Sequence, residues 1–190
     1  MKRIQAGALL TMTAFLSACV TPLLPGCTRF GHSGQVCLLP PAALPQLDAV
    51  HLVSVARQGR TDTFLGQLHI DPKSLYLAGS SLFGTGLFTL SYDGRQVSVR
   101  PETKELPADE LVVMLELTLA RPEQLRPQLH DLTLTVQDGP QGEVREIAER
   151  GHLIAHIERG PGPLAEAPVT IDIPSLKLTV KMTAVDKSQP

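Results

Sequence analysis

The chain has 190 residues, a formal net charge of −2, 4% aromatic residues and no tryptophan. That length suits one domain plus flanking segments. Mild acidity without a basic run speaks against nucleic-acid binding and against attachment to anionic lipid through a polybasic patch.

The N-terminus has three parts. Lys2 and Arg3 form a cationic start, Ile4 to Leu16 is almost purely apolar, and small residues Ser17 and Ala18 precede Cys19. A secretory signal has this order, and the apolar run is shorter than the ~20 residues that span a bilayer. The run Leu16-Ser17-Ala18-Cys19 resembles a bacterial lipobox. The resemblance implies signal residues 1–18, acylation of Cys19 with palmitate-type chains, and a mature chain beginning there. Val20, where an Asp would signal inner-membrane retention, resembles an outer-membrane address. The expected location is the outer membrane, lipid-anchored and facing the periplasm. The alternative is a plain secretory signal followed by a structural cysteine. Loss of Lys2 and Arg3 takes the formal charge from −2 to −4.

Residues 19–46 are rich in proline and glycine: Pro22, Pro25, Gly26, Gly31, Gly34, Pro40, Pro41 and Pro45. This composition reads as an extended tether. Cys27 and Cys37 lie in it, and an oxidising compartment favours a disulfide between them. Free thiols and a metal site with His32 are the rivals, although two cysteines and one histidine at this spacing match no zinc pattern.

A domain over residues 47–186 follows. Val50, Leu52 and Val53 begin a strand that ends near Gly59. Phe64, Gly66, Leu68 and Ile70 share one face of the next. Asp71-Pro72-Lys73 turns the chain, Leu75, Leu77 and Gly79 alternate, and Phe88, Leu90 and Tyr92 resume the pattern after a loop. Asp93-Gly94 is a hairpin signal before Val97 and Val99. The period then changes. Pro107, Asp109 and Glu110 suit a helix start, and Leu111, Met114, Leu115, Thr118 and Leu119 form a helical stripe. A second short helix starts at Pro122. Strands return at Leu132–Val136, Val144–Ala148, Leu153–Ile157, Val169–Ile173 and Leu176–Met182. About nine or ten strands around a helical insert predict a mainly β (α+β) fold, a curved antiparallel sheet with the insert as lid.

From Ser74 to Leu129 the order is strand, Leu82-Phe83-Gly84-Thr85 loop, strand, Asp93-Gly94 hairpin, strand, then the helix to Leu119. This order resembles the LolA/LolB class of lipoprotein carriers, and Ile171 to Val185 is similar to the closing strand of LolB. A group of uncharacterised LolB-like lipoproteins encoded beside aryl-polyene synthesis genes looks closer still. The resemblance implies an unclosed antiparallel half-barrel over an apolar cavity, lined by Leu111, Met114, Leu115, Leu119, Leu178 and Val180. It also implies a membrane-touching loop at Leu82 and Phe83. Two departures stand out: Ser81 replaces the proline of the LolB loop, and tryptophan is missing.

Catalytic motifs are not persuasive. Gly79-Ser80-Ser81-Leu82-Phe83-Gly84 has the wrong spacing for a nucleophile elbow. His152 and His156 lie four residues apart on a predicted strand, or ~13 Å, too far to share an ion. Asp109, Glu110 and Glu116 fit a helix start and a solvated face. No enzyme, cofactor or metal is expected. The expected function is hydrophobic-ligand binding (lipid, lipoprotein acyl chain or lipidated polyene) for transfer or membrane placement, by a monomer. The competing class is a structural or assembly lipoprotein with a packed core that docks to a partner protein. A weaker third is an envelope-lipid hydrolase. Leu82 and Phe83 tuck into the core under the bland alternative.

Overall fold

A computed structural model describes residues 23–101 and 108–185. In chain order the strands are β1 (Cys27–Arg29), β2 (Gln35–Cys37), β3 (Leu47–Arg57), β4 (Arg60–Ile70), β5 (Leu75–Ser80), β6 (Gly86–Tyr92) and β7 (Val97–Arg100). Helices α1 (Ala108–Leu119) and α2 (Pro122–Leu125) come next. Then follow β8 (Leu129–His130), β9 (Thr133–Gly139), β10 (Gly142–Glu149), β11 (His152–Arg159), β12 (Val169–Ile173) and β13 (Leu178–Ala184). The fold is mainly β, and its largest element is an antiparallel sheet that is not closed.

The ten-stranded sheet has the order β7-β6-β5-β4-β3-β13-β12-β11-β10-β9. Its ten strands correspond to those the alternation predicts, except that the last begins at Leu178, because Leu176 lies in a 3-10 turn and is exposed. Pairing of β13 with β3 joins the C-terminal strand to the first of the sheet, with Met182 opposite Val53 and Val180 opposite Val55. Directly opposite residues share a face, so the inner surface combines Ala49 and Val53 with Leu68, Ile70, Leu75, Leu90, Ile171 and Ile157. β3 turns Leu47, Ala49, His51 and Val53 inward, while Leu52 is 40% exposed. The strand begins three residues earlier than Val50, and its buried positions are the odd ones.

The helical insert bridges the two free edges. α1 packs against β7. Arg145 on β10 caps its C-terminal end, its Nη1 donating to the carbonyls of Leu117 (2.7 Å) and Ala120 (2.8 Å). Those carbonyls have no intrahelical partner, so a buried guanidinium is a suitable cap. Arg126, just past α2, donates to the Leu134 carbonyl on edge strand β9 at 2.7 Å.

The largest correction concerns residues 23–46. They do not form an extended tether. β1, β2 and β8 make a second antiparallel sheet, and Phe30, Val36, Leu39 and Leu44 enter the same core as the main sheet. The reason lies in α1. Its Val112, Val113, Leu117 and Leu119 are buried, as is Ala120 just past its end, while Leu111, Met114 and Leu115 are half-buried. A helix apolar on nearly every side needs cover on more than one side. The sheet supplies one cover and the N-terminal hairpin, touching α1 through β1, supplies the other. Cys27 pairs directly with Cys37 across that hairpin, and the two are disulfide-bonded.

The bridge therefore belongs to the folded body. Closing a loop of this length stabilises by about 3 kcal/mol in the chain-entropy view. Reduction, or paired Cys27→Ser and Cys37→Ser substitution, is expected to lower the single thermal transition by several degrees. An unchanged midpoint would mean that the hairpin does not fold cooperatively with the sheet.

Candidate functional site

One rim of the half-barrel carries exposed apolar side chains among charged ones such as Arg57, Arg60, Arg150 and Lys177. The β3–β4, β5–β6, β10–β11 and β12–β13 connections all lie at the same end of the sheet, as the antiparallel pairings require. At or beside these connections sit Leu82 (57% exposed), Phe83 (97%), Leu87, Leu153 and Leu176, all exposed. Leu82 and Phe83 occupy the two central positions of a hydrogen-bonded turn. The Gly84 amide donates to the Ser81 carbonyl (2.9 Å), and the Thr85 amide donates to Ser81 Oγ (3.1 Å). Gly84 has φ +82, where glycine carries no steric cost. The hydrogen bonds hold both apolar side chains outward on an ordered tip, and the alternative of tucking into the core does not occur.

Behind the tip lies a pair of aromatic rings. Phe64 on β4 and Phe88 on β6 meet edge to face with centroids 5.7 Å apart. The Phe88 ring crosses Gly79, where an added Cβ would come within 2.3 Å of it. Gly79 thus opens the space that lets Phe88 reach across β5 toward Phe64. Both rings are half-buried on the inner face. Sequence reading placed them on their strands but not in a pair. The signal was the Gly66–Gly79 juxtaposition, which only the register of β4 on β5 reveals.

The expected cavity residues divide. Leu119 is buried, whereas Leu111, Met114, Leu115, Leu178 and Val180 are half-buried and pack against the core. A cleft of about 710 Å³ lies elsewhere, between residues 42–45, the end of α1, the β9–β10 turn and residues 159–164. Of the expected lining only Leu119 borders it. Glu143 stands in this cleft, paired with Arg145 (2.6 Å) and Arg159 (3.1 Å). Cys19 and Pro107 lie outside the described residues. His152 is exposed, and His156 pairs with Glu158 (3.1 Å) and Glu146 (3.6 Å). Among the described residues, Cys27, Cys37 and His130 bring potential metal-ligand atoms within 4.8 Å of one another. His32, weighed from the sequence, is not in that group.

Two acids hold the N-terminal segment, and one of them, Glu116, is not on the solvated helix face expected for it. Glu149 accepts from the amides of His32 (2.9 Å), Ser33 (2.6 Å) and Gly34 (2.8 Å) and from the Ser33 hydroxyl. The Ser33 hydroxyl first, then the His32 amide, pushes its carboxyl down to about 2. Glu116 is fully buried in α1 and accepts from the Leu39 amide at 3.1 Å and 3.2 Å. Burial pushes its pKa up to about 8, with the Leu39 bond opposing. The acid is therefore neutral at pH 7. Tyr92 is raised to about 12, chiefly by its own burial and then by the Glu116 charge.

The family described as "Protein of unknown function (DUF3261)" matches residues 48–186, most of the chain, and the chain belongs to that family. No curated protein matches it. The match begins at β3, so the N-terminal hairpin that covers α1 lies before it.

The Glu116 environment gives a pH dependence of definite sign. Below pH 4.5 the acid is neutral folded and unfolded, and its contribution is fully present. Between 4.5 and about 8 only the unfolded chain ionises, so stability falls as pH rises, at most about 1.4 kcal/mol per pH unit. His51, depressed by burial, acts oppositely but only below its ordinary 6.5. From pH 6.5 to 8 the wild type is expected to lose about 2 kcal/mol relative to Glu116→Gln, read from denaturant midpoints. Parallel pH profiles for the two proteins would contradict a neutral buried Glu116.

Proposed function

We propose that this member of the DUF3261 family is an outer-membrane-anchored, periplasm-facing lipoprotein that binds a hydrophobic ligand in its half-barrel. The ligand is a lipid, a lipoprotein acyl chain or a lipidated polyene, taken up for transfer or membrane placement. The observation that carries the reading is the Leu82-Phe83 tip, with Phe83 at 97% exposure on an ordered hairpin turn. Burying such a side chain is worth ~1.5–3 kcal/mol. A tip of that strength touches a membrane reversibly, and the Cys19 lipid keeps the domain beside it. Between rim and core the inner face offers Phe64, Phe88, Leu178 and Val180, none fully covered. Side-chain shifts of Leu111, Met114 and Leu115 on α1 would admit a chain of methylenes there. The LolB-like strand order supports the same reading, and no catalytic role is assigned.

One observation favours the second reading, a structural or assembly lipoprotein. Leu111, Met114, Leu115, Leu178 and Val180 pack against the core rather than bordering the 710 Å³ cleft. A packed interior with an exposed apolar tip is also what a docking protein presents.

Two experiments separate these readings. Phe83→Glu and Leu82→Glu are expected to leave the melting temperature within about 1–2 °C, because exposed tips contribute little to folding, while transfer of a fluorescent fatty acid to liposomes falls severalfold. Leu178→Glu should abolish uptake of the probe or unfold the domain, since an unpaired carboxylate there is costly. Normal transfer by folded tip variants would remove the membrane-touching role and leave the docking reading ahead. For the anchor, Cys19→Ser is expected to yield an uncleaved precursor that takes up no palmitate analogue, because the sulfur is the acylated atom. Equal labelling of both proteins would end the lipoprotein reading.

A further inference from the structure

We propose that Cys27, Cys37 and His130 form a redox-gated site for a thiophilic d10 cation, Zn(II) or Cu(I). The site is closed by the disulfide when oxidised and open to the ion when reduced. Register places it. Cys27 lies opposite Cys37 on β1 and β2, and Gln35 lies opposite His130 on β2 and β8. Opposite residues share a face, as do residues two apart on one strand. Cys27, Cys37, Gln35 and His130 therefore stand on one face of the small sheet. Val36 and Leu129 occupy the other and pack in the core, Val36 with no exposure. Core packing thus fixes the sheet from behind and leaves sulfur and imidazole together in front.

The distances suit an ion. The two sulfurs and an imidazole nitrogen lie within 4.8 Å of one another. A tetrahedral ion with bonds of about 2.3 Å to sulfur and about 2.0 Å to nitrogen needs donor separations of roughly 3.3–3.8 Å. Breaking the S–S bond moves the sulfurs apart toward that spacing, and the imidazole needs to move about 1 Å. Thiolate and imidazole donors select Zn(II) and Cu(I) over Mg(II) and Ca(II). Three protein ligands leave one position for water or an exogenous donor. Gln35 does not fill it, because its Oε1 accepts the Leu24 amide at 2.8 Å and so holds residues 24–26 near the sulfurs.

The chemistry balances with a thiol reductant. Two equivalents of external thiol convert the disulfide to two cysteine thiols and leave as their own disulfide. The ion then displaces the two thiol protons to solvent and binds two thiolates and the neutral imidazole. The spacing of the cysteines alone matches no finger motif because the third ligand arrives from residue 130, carried to β2 by β8.

The test uses the full chain, reduced with excess dithiothreitol, exchanged into anaerobic buffer and titrated with Co(II) as a spectroscopic substitute for Zn(II). One equivalent should bind with a thiolate-to-cobalt charge-transfer band, and oxidised protein should give none. His130→Ala should weaken affinity by at least about tenfold. Zn(II) should release two protons per ion and raise the melting temperature of reduced protein but not of oxidised protein. Competition with Zn(II) and Cu(I) at buffered concentrations then ranks the two ions. Absence of the band in reduced protein whose circular dichroism is native would overturn the proposal. Equal uptake by oxidised protein, or by His130→Ala, would overturn it as well, because the ion would then sit elsewhere or without the imidazole.

Discussion

Helix α1 has almost no polar surface to give to water, and the rest of the molecule arranges itself around that constraint. Val112, Val113, Leu117 and Ala120 are fully buried, and Leu111, Met114 and Leu115 are half-buried beside them. One sheet surface cannot cover so many directions at once. The main sheet covers part, and the N-terminal hairpin covers the side that carries Glu116. That acid then meets a backbone amide instead of solvent. Arg145 closes the helix from the opposite quarter by taking its last carbonyls. Two buried charged residue types thus act as fasteners on one helix, one neutral by virtue of burial and one paired with Glu143.

The same helix accounts for why the barrel stays open. Edges β7 and β9 do not pair. Unpaired edges invite association with other chains, and folds manage them by covering them. Here α1 lies on β7 while Arg126 reaches β9, so the insert occupies the gap that a closing ladder would fill. Leu111 and Met114 on α1, with Leu178 and Val180 on β13, stay only half-buried against the core.

Much of this was legible in the sequence because it is periodic. Every strand of the large sheet shows as alternation, and Asp93-Gly94 marks its hairpin; the Asp93 carboxylate accepts the Arg95 and Gln96 amides, while Gly94 takes φ +88. The sequence places the Leu82-Phe83 pair in a loop but leaves open whether its side chains point outward or into the core. The N-terminal strands were not legible. β1, β2 and β8 are two or three residues long, too short to alternate, and the prolines and glycines around β1 and β2 resemble a linker. Their order comes from long-range partners, namely Glu149 on the loop at 32–34 and Glu116 on Leu39. Glu116 reads as a surface group because local pattern carries no information about a donor 77 residues away in sequence. The inward face of β3 is not legible for a related reason. Its inward set includes Ala49 and His51, small or polar residues that alternation discounts.

The account stands or falls on what the inner face touches in the native membrane. A photoreactive phenylalanine analogue placed at Phe88, on the inner face beside the rim, samples the binding surface. The same group at Tyr76, 39% exposed on the outer face, is its control. Irradiation of the full chain in native membranes, followed by mass spectrometry of the adducts, reads the occupant directly. The account predicts lipid or acyl adducts at position 88 and none at position 76. Protein adducts alone at position 88, or equal lipid adducts at both positions, would contradict it.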